Sequence, residues 1–193
     1  MIAARRNAPL VRVEDAFLRS LRPGRAGDAP LGLMIDGRGV HFDSASPSTL
    51  EHILLRHPFD DSNLMQRARD GIGRLQALDL SKYNIHHPEA PLPAPGYVLV
   101  VDQTLNDASI GYGLATQDSF DAMVAAARRD EPEAQLIVKR HPAVAAGKKR
   151  GCITDLSGVA LVDADVRPAD LLAAVDAVYC VTSALGFEAL LRG

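Results

Sequence analysis

Tryptophan is absent from this 193-residue chain, and Phe and Tyr together make up only 5% of it. Stacking platforms for single-stranded nucleic acid are built from such rings, so their scarcity argues against that class. Positive charge is not in excess. Lys and Arg number 21 against 24 Asp and Glu, for a formal net charge of −3. No broad basic field is present to follow a phosphate backbone, and nucleic acid is not an expected partner. Cysteine is limited to Cys152 and Cys180, in no metal-binding spacing. A chain of this length can build a core without a disulfide staple, so both read as reduced thiols of a cytoplasmic protein. No apolar run approaches the roughly 20 residues of a membrane span. Residues 1–10 carry Arg5 and Arg6 but no apolar segment, so no signal peptide is expected. What remains is ordinary globular composition, 47% hydrophobic and 23% charged, enough for one large domain or two small ones.

The most informative stretch is Val98 to Ser109. Val98–Val101 is a short apolar run that suits a strand buried on both faces. It empties into Asp102, Gln103, Thr104, Asn106, Asp107 and Ser109. Ligands of open parallel sheets bind beyond the carboxyl ends of strands, which is where these side chains fall. The same residues also favour turns, so the stretch alone leaves both readings open.

In chain order, Leu10–Val13 alternates as a short strand running into the polar junction Glu14–Ser20. Leu31–Ile35 and Val40–Phe42 flank Asp36-Gly-Arg-Gly39, which predicts a hairpin. Ser48-Thr-Leu-Glu51 is a capping box opening a helix that ends before Pro58. A second helix follows Ser62, with Leu64, Met65, Ala68, Ile72 and Leu75 on one face and Gly71 and Gly73 weakening its second half. Residues 86–96 hold four prolines and read as a stiff connector, with His86 and His87 as solvated linker residues. This predicts a boundary near Gly96, with a partial N-terminal α/β half over 1–95 and a Rossmann-like half over 96–193. After it, strands at Tyr97–Val101, Leu136–Val138, Val159–Val162 and Ala177–Val181 alternate with helices. One helix is capped by Asp118 or Ser119 with Phe120, Met123, Val124 and Ala127 inward. Another starts at Pro168 and carries Leu171, Leu172 and Val175, and a last one is capped by Ser183. That alternation predicts a parallel sheet with helices on both faces.

Three of these strands end in Asp102–Ser109, in Lys139-Arg-His141, and in Thr182-Ser183 followed by a helix bearing Glu188. On one sheet edge they suggest a nucleotide-sugar site. Thr182, Ser183 and the helix start would face a phosphate, with His141 or Lys139 pairing it. Glu188 would accept from ribose, and Asp107 would be free to act on carbon. A capped helix, a surface cationic cluster and an ion-paired Glu188 fit the same residues equally well.

Five stretches resemble one family in their order: Glu14-Asp-Ala-Phe-Leu-Arg-Ser20, Ser81-Lys-Tyr-Asn84, Val100–Ser109, Val138-Lys-Arg-His-Pro142 and Thr182–Leu191. The chain resembles the capsule polysaccharide β-Kdo transferases of the KpsC/LipB type. The resemblance implies a GT-B-like α/β enzyme with CMP-Kdo as donor, a lipid-linked sugar acceptor, and no resident cofactor or metal. It implies retention through a glycosyl–enzyme adduct on Asp107, with Glu14 as general acid/base by motif position. It implies donor binding by Gln103, Ser109, Lys139, His141, Thr182, Ser183 and Glu188, and carboxylate or acceptor binding by Arg19 and Ser20. A cytoplasmic enzyme at the inner face of the inner membrane, beside capsule assembly proteins, is the implied setting. Ala16 stands where the family usually has Gly, a mild change unless φ is positive there. The family's pattern extends past both ends of this chain, so a piece of a larger module is expected. The alternatives are a non-catalytic, nucleotide-binding remnant and an unrelated nucleotide-binding α/β protein.

Overall fold

The computed structural model describes residues 6, 8–22, 28–84, 86–87, 89–163 and 165–193. The alternating start forms β1 (Arg12–Asp15), which pairs antiparallel with β2 (Leu33–Asp36). Glu14 and Asp15 thus belong to the strand rather than to its end. The predicted hairpin does not form, because Val40–Phe42 is not a strand. The Asp36 carboxylate instead accepts the N–H groups of Arg38, Gly39 and Thr49 and the Thr49 hydroxyl. These bonds turn the chain toward the next helix and pull the Asp36 pKa down to about 2.

That helix, α1 (Thr49–Arg56), begins with the expected capping box of Ser48 and Glu51. In α2 (Ser62–Ala77) the cap is Asp61, and the helix runs through Gly71 and Gly73. Neither α1 nor α2 has a buried residue. Among the described residues before Gly96, Val40 alone joins the buried apolar set.

The core is built around β3 (Tyr97–Val101), whose five side chains are all buried. It is followed by α3 (Ala108–Tyr112), α4 (Gln117–Asp130), β4 (Gln135–Lys139), α5 (Pro142–Ala145), β5 (Ala160–Val162), α6 (Pro168–Ala173), β6 (Val175–Tyr179) and α7 (Ala184–Leu190). The four strands form a parallel sheet in the order β5-β4-β3-β6. One face packs Val98, Val100 and Val138 against Phe120, Met123, Val124 and Ala127 of α4. The other packs Tyr97, Leu99 and Ile137 against Leu171 and Leu172 of α6. The GT-B-like α/β class, with a Rossmann-like sheet covered on both faces, therefore holds.

Boundaries at α4 and β6 differ from expectation. The cap of α4 is Thr116, with Ser119 closing its capping box from the third helical position. Val175 opens β6 instead of ending the helix before it, and β6 starts two residues earlier than periodicity suggested. Proximity of Gly96 to Ala174 explains this, since the Gly96 N–H donates to the Ala174 carbonyl at 3.1 Å and brings Val175 beside Tyr97.

The chain lays down β3, β4 and β5 in one direction, then crosses back to place β6 on the other side of β3. The carboxyl ends of β3 and β6 therefore flank the point where the winding reverses. Crevices form at such points because the connections on either side diverge.

Candidate active site

At that reversal the β3 and β6 ends are tied together by Gln103. Its Oε1 accepts the Thr182 N–H at 3.0 Å, and its Nε2 donates to Thr182 Oγ1 at 2.8 Å. Thr182 Oγ1 lies 3.0 Å from Ser109 Oγ. Ser109 donates to Asp107 Oδ1 from both its N–H, at 2.9 Å, and its hydroxyl, at 2.7 Å. With the Ser109 proton committed to Asp107, the Thr182 hydroxyl donates to Ser109 Oγ or to Gln103 Oε1, 3.2 Å away. A network of polar contacts thus runs from Gln103 through Thr182 and Ser109 to one oxygen of Asp107. Asp107 also caps α3, which fixes its backbone, and Asn106 before it holds φ at +65°. Asn is among the few residues that tolerate that left-handed position.

Asp102 has the other role. It is buried, and its Oδ1 accepts from Gln103 N, Cys152 N and Ile153 N at 2.9–3.0 Å. It anchors the 151–153 strap to the end of β3. Burial pushes its pKa above the usual carboxylate range against the pull of those donors. The neighbouring Cys152 thiol is pushed up to about 11, chiefly by burial, and stays protonated at neutral pH.

At the end of β4, His141 caps α5, and its Nδ1 accepts the Ala143 N–H at 3.1 Å. The proton of the neutral ring therefore sits on Nε2, 3.4 Å from the Tyr83 hydroxyl. Burial, aided by Lys149, lowers the His141 pKa, although Asp107 opposes the shift. The expected cation is thus a neutral imidazole presenting an N–H. Arg140 forks onto Asp163. Lys139 is lowered by burial and held up by the charges of Asp165 and Asp163, so its field faces β5's end.

At the end of β6, Ser183 caps α7 as expected. Glu188 is buried, and its Oε1 accepts from Ser81 Oγ at 3.1 Å and from Lys82 N at 3.4 Å. Its present partner is the 81–84 turn, which Asn84 closes by bonding both the Ser81 N–H and carbonyl. That turn presents Tyr83 toward His141. The Tyr83 pKa is raised by burial and by the charges of Asp107 and Glu188.

Glu14 lies elsewhere. It lines a cavity of about 180 Å³ with Arg12, Asp36, His41 and Thr49, whereas Asp107 lines a separate groove of about 510 Å³. Arg19 is committed to its own loop, with Nε bonded to Asp15 Oδ1 at 2.6 Å and Nη1 to Ser20 Oγ and the Asp28 carbonyl. The expected carboxylate grip of Arg19 and Ser20 is therefore taken up by an internal clasp. The 14–20 segment reaches α7 through Phe17, whose ring meets Phe187 edge-on at 5.3 Å. Ala16 is not in the left-handed region, so alanine there carries no strain.

The model of the capsule polysaccharide biosynthesis protein family matches residues 1–93 and 79–193. The chain belongs to this family. It is 41% identical over 201 residues to capsule polysaccharide modification protein LipA of Neisseria meningitidis serogroup B, covering 99% of this chain and 28% of LipA. It is 37% identical over 198 residues to lipopolysaccharide-processing protein LpsZ of Rhizobium meliloti, covering 98% of this chain and 45% of LpsZ. Among solved structures, it resembles Thermosulfurimonas dismutans KpsC, beta Kdo 2,4 transferase, with TM-score 0.89, 34% identity, and 99% and 61% coverage. KpsC, beta Kdo 2,7 transferase, from the same organism follows at TM-score 0.65 and 26% identity, covering 96% of this chain and 56% of that one. The chain thus spans little more than a quarter of LipA and under two thirds of the KpsC chains.

In this family member the five singled-out stretches form one chain of contacts, Phe17 to Phe187, Glu188 to Ser81, Tyr83 to His141 and Thr182 to Gln103. Sequence reasoning gave Tyr83, Lys82 and Lys149 no role. The Ser81–Asn84 stretch and the basic run at 148–150 were visible as signals, but nothing local shows what they face. Among the described residues no helix is long and apolar enough to cross a membrane.

Proposed function

We propose that this chain carries the donor side of a retaining glycosyltransferase that moves β-Kdo from CMP-Kdo to a lipid-linked glycan in capsule biosynthesis. The observation that carries the reading is the tie of Asp107 through Ser109 to Thr182 at the winding reversal, with His141 at the neighbouring β4 end within the field of the Asp107 charge, in a sheet so similar to that of a beta Kdo 2,4 transferase. Oδ1 of Asp107 is saturated by Ser109, and Oδ2 accepts from no described residue. In the proposed scheme Oδ2 attacks the anomeric carbon and the bond to the CMP phosphate breaks. His141 Nε2–H and Ser183 hold the departing phosphate, while Thr182, engaged with Gln103 and Ser109, orients them. The acceptor hydroxyl, losing its proton to a base, then displaces the carboxylate, and two inversions give retention.

Glu14 enters as that base by motif position alone, and the role requires its segment to close toward the Asp107 groove. The scheme assigns no metal ion. A 2,4 linkage is favoured over 2,7 by the greater likeness to the 2,4 transferase. The test is intact-protein and peptide mass spectrometry after incubation with CMP-Kdo. A Kdo adduct on Asp107 is expected, and an adduct on any other residue overturns the scheme.

A further inference from the structure

Lys148-Lys149-Arg150 is the only run of three consecutive Lys or Arg residues in this net-negative chain. All three are exposed, and none forms an ion pair with a described residue. Yet the turn is held firmly by its backbone. Gly147 takes φ +68°, and the N–H groups of Lys148 and Lys149 both donate to the Ala143 carbonyl at 2.9 Å. The Arg150 carbonyl accepts the Leu105 N–H at 2.8 Å, and Gly151 bridges Thr104. The turn that carries the three cations is therefore anchored to Leu105, two residues before Asp107.

The groove of about 510 Å³ opens beside this turn, lined by Leu105, Asn106, Asp107, Tyr112, Gln117 and Cys152. It offers the exposed faces of Leu105 and Tyr112 to C–H surfaces and the amides of Asn106 and Gln117 to hydroxyls. That mix of apolar area and few polar groups, with the basic turn joined to the groove wall at Leu105, suits a small acidic sugar. Arg19, the sequence-stretch candidate for a carboxylate, is spent on its own loop.

We propose that the 148–150 turn and this groove form a subsite for a carboxylate-bearing sugar, the cations holding the carboxylate and the groove the ring. The proposal rests on the Kdo-transferase reading, in which both the transferred sugar and the acceptor's terminal sugar carry that group. Because the backbone makes the turn, Lys148→Ala, Lys149→Ala and Arg150→Ala together leave its shape intact.

The experiment is titration calorimetry of wild type and the triple variant with free Kdo, CMP and CMP-Kdo. Thermal melting checks that both are folded. Loss of charge-assisted contacts predicts at least a roughly tenfold weaker Kdo affinity in the variant, with CMP affinity unchanged. A parallel fall for CMP-Kdo assigns the subsite to the donor's sugar. CMP-Kdo binding as before assigns it to the acceptor's. Equal Kdo binding by both proteins, or none by wild type, overturns the subsite. If Kdo binds through the turn but CMP does not bind, the subsite stands and the CMP-Kdo reading falls.

Discussion

Asp107 combines two roles that one substitution separates. Asn caps a helix about as well as Asp. Asp107→Asn should therefore change stability by less than about 0.5 kcal/mol and leave CMP affinity intact while abolishing the Kdo adduct. Adduct formation by the variant would remove Asp107 from the chemistry. His141 is likewise both cap and N–H donor. His141→Ala should weaken CMP binding by about 1.5–3 kcal/mol, roughly ten- to a hundredfold, and His141→Asn should restore the cap but not the affinity. The His141 pKa also sets a pH signature. Burial holds it below its ordinary 6.5, so below that pH the unfolded chain takes up a proton that the folded chain resists. Stability should fall as pH drops through about 6.5 toward the folded value. Urea titrations of wild type and His141→Asn at about pH 7.5 and about pH 5.5 should show a smaller loss in the variant. An equal loss would mean that His141 is not the group responsible.

At the level of elements, the β3 end and the 151–153 strap stand or fall together. Asp102→Ala strands the buried N–H donors of Gln103 and Ile153, at roughly 1–3 kcal/mol for each one left unmet, less what water regains, while the Cys152 N–H keeps the Gln103 carbonyl. Gly151 lies flat against the Asp102 carboxylate, and a Cβ there would overlap Oδ2. Gly151→Ala should cost about 1–3 kcal/mol through that overlap. Asp102→Asn, which keeps an acceptor oxygen, should cost less than Asp102→Ala. Chemical denaturation that ranked the two Asp102 variants the other way would show that the three bonds do not hold the strap.

For the molecule as a whole, stability should be uneven. The apolar core lies almost wholly in residues 97–193, while β1, β2 and α1 expose Val13, Leu33, Ile35, Leu54 and Leu55. The two parts are nonetheless joined by Arg167 to Asp79, Gln76 to the Leu191 carbonyl and Ser81 to Glu188. Amide hydrogen exchange should find β3 and β4 protected to the global unfolding free energy and β1–β2 opening well below it. Equal protection of both sheets would contradict this division.

Local pattern was enough for what depends on near neighbours in sequence. The run Val98–Val101 suits a strand covered on both sides, the spacing Phe120, Met123, Val124, Ala127 suits an inward helix face, and Ser48 with Glu51 and Ser183 supply caps from within their own turns. The alternation of such segments also placed Asp107, His141 and Thr182 at strand ends. Tertiary structure decided everything set by a distant partner. Asp36 became the acceptor for Thr49 in place of a hairpin, Arg19 closed on the Asp28 carbonyl, Glu14 and Asp107 fell in separate cavities, and burial left His141 neutral. Periodicity encodes which face of an element avoids water. It carries no record of which polar groups from far along the chain will meet there, and those meetings set the charge and orientation of the site.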